Sequence, residues 1–465
     1  MHTFLLRAEG VNLDSFIYDT QDLSTIRGGG LLLLNAADTV RDALRKRGTT
    51  STPVVEGASI GLYFVESEDS PEQVRSWMND ALVTRLPHAT FVVDVGPPGE
   101  DGPEARATVE WRNREQQMQA PSVVYPALEG KGAVCEVDLV RPAVEKARMK
   151  GRETWISDAT KQRREAGNRA KQNFYKQELE RVGRADIPLE FRFAQDFEEI
   201  GGNSAEWGNL QDKLALIYLD GNRFGERAAA CKGRHDLRDF SDGVRRKHSD
   251  ILAGLLDRIG RDEDKGWLSG ADYNKIARLE TLLWGGDEII WVVPAWKGWE
   301  TLRSFYVQCE AEANPAWNPL PDQPLTYTAA LVFCHTRTPI HAVVKLAHNM
   351  ADNLKERYKD KPENRFLYKV LESFDYVETP GAEMALPADA LNTMEAGMPL
   401  WREQVSNKRL HRIQKLNGAE RQKLDGEMRK GMTPEAVGLL DKLGPEGWRH
   451  IVELRDYVMP ERGEA

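Results

Sequence analysis

The strongest constraint in this 465-residue chain is a pair of apolar strands that both run into acidic residues. Leu214-Ala215-Leu216-Ile217-Tyr218-Leu219 ends at Asp220-Gly221. Thr281-Leu282-Leu283-Trp284 and Ile289-Ile290-Trp291-Val292-Val293 flank Gly285-Gly286-Asp287-Glu288. The first reads as a buried strand that stops at a turn, the second as a β-hairpin with a glycine turn. Either motif alone is most often only a turn. Between them, Ile251, Leu252, Leu255, Leu256 and Ile259 recur at helical spacing and place an apolar face against a sheet. The conjunction, two acidic strand ends in one packed unit, points to a site.

Further along, a helix is expected over about Lys297 to Glu312 and a strand over Thr326 to Cys334. A second amphipathic helix carries Ile340, Val343, Val344, Ala347, Ala351 and Leu354. Strand, helix, hairpin, helix, strand, helix is an α+β order, satisfied by an antiparallel-centred sheet with helices on one face. Before this unit, short strands (Thr3 to Leu6, Gly61 to Val65, Thr90 to Val95) mix with helical stretches such as Ala36 to Lys46. The Gly/Pro/Glu run 96–103 reads as a surface loop. From Arg141 to Val182 charge dominates, and the segment reads as an exposed helix and connector with a solvated face. Leu31 to Leu34 and Ala329 to Cys334 read as strand-sized runs. After Pro362 a mixed segment and a Pro/Ala-rich stretch near Pro380 to Pro387 lead to a polar helical part, broken at Gly431-Met432-Thr433-Pro434. The divisions expected are therefore 1–140, a helical connector at 141–209, the unit bearing the site at 210–360, and a mainly helical region at 361–465.

Composition narrows the class. No apolar run approaches the about 20 residues that span a membrane, and the first residues lack a secretory pattern. Cys135, Cys231, Cys309 and Cys334 stand far apart with no C-x-x-C pair, so neither a zinc knuckle nor a disulfide framework is expected, and a reducing cytoplasm is. A net charge of −10 opposes a surface coated with nucleic acid and a duplex channel.

Asp220 and Asp287-Glu288 converge if their strands are neighbours. Hard oxygen ligands on rigid elements suit Mg²⁺ or Mn²⁺, which complete their shells with water and substrate phosphates. Two such ions would activate an attacking hydroxyl and stabilise a leaving pyrophosphate. Gly221, Gly225, Gly285 and Gly286 let backbone approach metal and triphosphate closely. His335 and His341 read as a strand-end residue and a helix-surface residue. Trp284, Trp291, Trp296 and Trp299 read as core. Arg245-Arg246-Lys247 is open between phosphate binding and solvent.

The run Leu216 to Gly225, then Trp284-Gly285-Gly286-Asp287-Glu288, then Leu331 to Ile340 resembles the catalytic palm of the large subunit of type III CRISPR effector complexes. That palm is similar to GGDEF nucleotide cyclases. The resemblance implies ferredoxin-like palms, two of them, the first (with Val11 to Ile17 and Ile26 to Gly30) non-catalytic. It implies that NTP, ATP above all, becomes a cyclic or short oligonucleotide second messenger in antiphage defence, with RNA or other defence subunits as partners and no membrane. Carried over, Asp220, Asp287 and Glu288 are catalytic. With the Gly221 carbonyl they hold the ions, while Asn222, Phe224, Gly225, Gly285, Gly286 and Lys355 meet the nucleotide. The chain departs from the family at Asn222, where a second acid is common. It also shows no cysteine cluster, and an N-terminal His-Asp nuclease domain is not evident in it, since His235-Asp236 falls inside the palm. Ile289 and Arg278-Leu279-Glu280-Thr281 set it apart from GGDEF cyclases. The alternative reading is a degenerate palm that binds nucleotide or RNA as a scaffold subunit.

Overall fold

The computed structural model describes residues 1–57, 59–119, 132–149, 151–202, 204–262, 265–270, 274–372 and 384–463. Part of the Pro/Ala-rich stretch near Pro380 lies outside them. The fold is α+β, as expected.

The first sheet is laid down as β1 (His2–Val11), α1 (Leu23–Leu34), α2 (Ala36–Lys46), β2 (Thr50–Glu56), β3 (Ile60–Ser67), α3 (Pro71–Arg85) and β4 (Thr90–Val95). Ser70 caps α3 by accepting from the Gln73 N–H, with Pro71 at its first position. The strands lie in the order β2-β3-β1-β4, antiparallel throughout. Leu31 to Leu34 belongs to the last turn of α1 and not to a strand. A four-residue apolar run carries no period of its own, and its helical neighbours decide.

The second sheet uses β5 (Lys213–Gly221), α5 (Arg234–Arg261), β6 (Glu280–Trp284), β7 (Glu288–Pro294), α6 (Ala295–Ala311) and β8 (Tyr327–His335). Its core order is β6-β7-β5-β8, again antiparallel, so second, third, first and fourth strands recur in the same order as in the first sheet. After α7 (Ile340–Arg357), β9 (Arg365–Val370) adds in parallel beside β8.

Helices cover this second sheet on both faces, not one. A Cβ on Gly298 of α6 would stand 2.4 Å from the Ala215 Cβ, which puts α6 on one face. On the other, His348 of α7 tilts against the Tyr218 ring at 5.6 Å. Every residue from Leu214 to Leu219 is at most 2% exposed. A strand covered on both faces reads as a continuous apolar run, which is the pattern β5 has.

Charge patterning misled at α4 (Asp158–Arg181). It is not a solvated connector, since Arg163, Gly167, Lys171, Phe174, Tyr175 and Glu178 are buried along one stripe. Its crossing with α1 is close enough that a Cβ on Gly28 would lie 1.6 Å from the Arg163 carbonyl oxygen. The buried charges are paired rather than hydrated. Arg163 pairs with Asp19, and Arg27 of α1 and Lys171 of α4 meet on Glu280 of β6, at 2.9 Å from Arg27 Nε and 2.9 Å from Lys171 Nζ. One carboxylate thus ties the first sheet, α4 and the second sheet together.

The C-terminal part is helical: Ala390–Gln404, Asn407–Lys415, Gly418–Lys430, Pro434–Lys442 and Gly447–Leu454. The expected break at 431–434 is a cap, with Thr433 accepting from the Ala436 N–H ahead of Pro434. All four cysteines are buried free thiols. Among the described residues no helix is long and apolar enough to cross a membrane.

Candidate functional site

Register brings the acids together. Antiparallel pairing sets Glu288 directly opposite Asp220. The Gly221 N–H donates to the Asp287 carbonyl at 3.0 Å, and the Gly285 N–H closes the hairpin onto the Glu288 carbonyl at 2.8 Å. Gly221 is required where it stands, because a Cβ there would lie 2.4 Å from the Phe224 ring. Phe224 in turn packs against Phe240 and Tyr327, at 5.7 and 5.6 Å between centroids. Its ring belongs to the core beneath the turn and is 6% exposed.

Side chains at alternate strand positions share a face, so Tyr218, Asp220 and Glu288 all look toward α7. The Tyr218 hydroxyl donates to Glu288 Oε1 at 2.9 Å. Along α7, His348, Asp352 and Lys355 follow at helical spacing, with His348 Nδ1 3.0 Å from Asp352. Lys355 reaches furthest: its ammonium is ion-paired with Asp220 and donates to the Gly221 carbonyl at 3.1 Å.

The electrostatics are those of crowded carboxylates, Asp220 buried and Asp287 and Glu288 half-buried. Burial pushes the Asp220 carboxyl up to about 7; Asp287 and Glu288 add to the rise, and Lys355 opposes it without cancelling it. Burial likewise raises Asp287, against Lys355. Glu288 is raised by burial and by Asp287, against the Tyr218 hydrogen bond and the nearby His348 and Lys355. Negative charge here is held at a cost that a cation relieves.

Among the described residues, no three His, Cys, Asp or Glu side chains are gathered as ligands around one point. The donor set nevertheless fits a hard divalent cation. The Asp220 carboxylate and the Gly221 carbonyl already grip a positive charge, the Lys355 ammonium, and both are oxygen donors of the kind Mg²⁺ and Mn²⁺ take. A metal held there would compete with Lys355 for the same cradle.

The remaining expected residues divide. Asn222 is buried and engaged: its Nδ2 donates to Thr326 Oγ1 at 3.0 Å and its Oδ1 accepts from Thr328 Oγ1 at 2.8 Å. It also borders a cavity of about 570 Å³ beside the acids, whose lining mixes the cations Arg223, Lys355, Lys359 and Arg365 with the carboxylates Glu226, Asp352, Glu356 and Glu363. A Cβ on Gly225 or on Gly286 would meet nothing within 4 Å, so both stand beside open space. His335 and His341 are exposed and lie on other partners, Arg337 and Gln21. Trp284, Trp291, Trp296 and Trp299 are core, as expected. Arg245 and Lys247 turn to Glu178 and Glu312. Sequence reasoning missed Tyr218, His348 and Asp352. The signals were there: Tyr218 sits two residues before Asp220, on the same strand face, and His348 and Asp352 share a helix stripe with Lys355.

No family model matches the chain, and no curated protein does. Solved structures do. Csm1 of T. onnurineus superposes over 99% of this chain and 70% of its own, with a TM-score of 0.57 and 15% identity. The Csm1-Csm4 cassette in complex with cA4 covers 98% of this chain and 70% of its own, again at TM-score 0.57 and 15% identity. The cassette in complex with one ATP covers 98% and 69%, at 0.53 and 14%. The likeness is one of fold: this chain has the fold of Csm1, the large subunit of type III CRISPR complexes, as the sequence resemblance led one to expect.

Proposed function

From a Csm1 fold with Asp220, Asp287 and Glu288 brought to one strand end, we propose that this protein is a Mg²⁺-dependent nucleotidyltransferase. It makes a cyclic or short oligonucleotide messenger from NTP, ATP by preference, in antiphage defence. The observation that carries the reading is the Asp220–Glu288 register with Asp287 at the adjoining turn. Carboxylates crowded in this way are raised by burial and by one another. A scaffold gains nothing from such repulsion.

Asp220, Asp287, Glu288 and the Gly221 carbonyl hold the metal, Mg²⁺ or Mn²⁺, in one or two positions. Bound there, the metal supplies activation of a 3′-hydroxyl and charge neutralisation at the α-phosphate and the leaving pyrophosphate. Lys355 exchanges the Asp220 carboxylate for the triphosphate, which enters the recess bordered by Asn222 and Arg223. Gly225, Gly285 and Gly286 keep the approach open. Phe224 acts from below, fixing Gly221 by contact with it.

The reading includes two palms, the first non-catalytic, over 1–140 and 210–360. A connector at 141–209 and a helical region at 361–465 complete it. What supports it is a repeat at the level of single hydrogen bonds. The Gly10 N–H donates to the Ser59 carbonyl at 2.8 Å as Gly221 does to Asp287, and Gly57 donates to Ile60 at 2.8 Å as Gly285 does to Glu288. Asn12 and Arg223, with φ of 56° and 58°, start the following helices alike. A Cβ on Gly10 would press on Leu13 at 3.0 Å, the counterpart of Phe224. At the positions of Asp287 and Glu288 the first sheet carries Ser59 and Ile60. At that of Asp220 it carries Glu9, paired with Arg7 at 2.7 Å.

Other defence subunits are the partners this reading names, in keeping with neighbours solved as a Csm1-Csm4 cassette, and the compartment it names is the cytoplasm. The second reading, a nucleotide- or RNA-binding scaffold, is favoured by one observation: Lys355 closes the cradle as an ion pair. The test is to incubate the protein with each NTP and Mg²⁺ or Mn²⁺, wild type beside Asp287→Ala, and resolve products by mass spectrometry. A product of two or more nucleotides from the wild type alone is the expected result. Retained synthesis in the variant overturns the site. No product, with nucleotide affinity indifferent to metal, leaves the scaffold.

A further inference from the structure

The helix Asn407–Lys415 stands out on a chain whose net charge is −10. Its sequence, Asn-Lys-Arg-Leu-His-Arg-Ile-Gln-Lys, contains Lys408, Arg409, Arg412 and Lys415 and not one Asp or Glu. All four cations are exposed, as is His411, while Leu410 and Ile413 are buried at 1% and 0% exposure. Among the described residues none of the four pairs with a carboxylate. The following helix, Gly418–Lys430, is what an ordinary solvated surface looks like. Its Arg421, Lys423, Arg429 and Lys430 are interspersed with Glu420, Asp425 and Glu427, and Arg429 pairs with Asp425 at 2.9 Å.

Helix stability does not account for this charge. Arg412 and Lys415 suit the C-terminal end of the helix dipole, but Lys408 and Arg409 occupy the first turn, which has no acidic residue. Cations there oppose the dipole. Lys408 with Arg412 is a like-charge pair at i,i+4, and Arg409–Arg412 and Arg412–Lys415 repel at i,i+3. Each such pair works against the helix. An arrangement that works against its own helix is explained by a polyanion that neutralises it.

We propose that the Asn407–Lys415 helix is a binding surface for the phosphodiester backbone of a single-stranded nucleic acid. A single strand suits the patch better than a duplex. The cations cover one helix of about 13 Å, and the acidic remainder of the surface repels the denser charge of two strands. An anionic membrane is disfavoured because Leu410 and Ile413 are turned into the protein, leaving no apolar face to enter lipid. Contacts of this kind read charge and not sequence.

The test is fluorescence anisotropy of a labelled single-stranded RNA of mixed sequence, titrated with the full chain over a range of salt concentrations. The wild type is compared with the variant Lys408→Gln, Arg409→Gln, Arg412→Gln, Lys415→Gln. All four sites are exposed, and circular dichroism melting checks that the variant folds. Four phosphate contacts predict that the slope of log affinity against log salt weakens by about 3 units in the variant. Similar binding of DNA of the same sequence supports a backbone contact. Unchanged affinity and slope, no binding by the wild type at low salt, or binding to phosphatidylserine vesicles without binding to the oligonucleotide would each overturn the proposal.

Discussion

The Lys355 ammonium is ion-paired with Asp220 while donating at 3.1 Å to the carbonyl of the very next residue, Gly221. A side chain from α7 thus occupies the two oxygen donors best placed to hold a metal. On the proposed function, the pairing would make Lys355 both a competitor for a bound cation and a partner for the nucleotide's triphosphate.

Lys355→Met is therefore expected to tighten Mn²⁺ binding in the absence of nucleotide by roughly tenfold or more, about 1.4 kcal/mol, and to weaken nucleotide binding. Electron paramagnetic resonance of free Mn²⁺ measures the first directly. Weaker Mn²⁺ binding in the variant would mean that Lys355 supports the metal site and does not compete for it.

The raised Asp220 carboxyl makes a pH prediction. Its folded value, about 7, lies above the ordinary 3.8, so between those values the folded state binds more protons than the unfolded one. Stability then falls as pH rises through that window and levels off above it. Melting in the presence of a chelator should show wild type losing more stability than Asp220→Asn between pH 5 and pH 8. Parallel melting curves for the two proteins would contradict the burial of a titrating carboxyl at this position.

Asn222→Asp replaces the missing second acid, yet it is not expected to improve metal binding. The Asn222 amide donates to Thr326 Oγ1, and a carboxylate has no proton to give in its place. A loss of about 1–3 kcal/mol in denaturant unfolding is expected from the unsatisfied contact. Stronger Mn²⁺ binding with unchanged stability would show the position to be a vacant ligand site instead.

Glu280→Gln tests the tie between the two sheets. It leaves Arg27 and Lys171 buried without their shared carboxylate, and removal of one partner from a buried pair costs about 3–5 kcal/mol. The loss should appear in denaturant unfolding. A change under 1 kcal/mol, by the measure usual for exposed pairs, would mean that water reaches this network.

What the sequence determined by itself was local. Period and punctuation placed β5, the Gly-Gly-Asp-Glu hairpin and the stripe of α7, because burial on one face or two leaves its mark on neighbouring letters. The motif's two halves were legible for the same reason. Tertiary structure decided what depends on partners distant in sequence. Asp220 meets Glu288 only through the β5–β7 register, and Asn222 looks like a lost ligand until Thr326 and Thr328 are set beside it. Alpha-helix α4 reads as solvated until Asp19 and Glu280 arrive to neutralise its stripe. A charged side chain carries no sign in the sequence of whether water or a counter-charge will surround it, and only the fold supplies that.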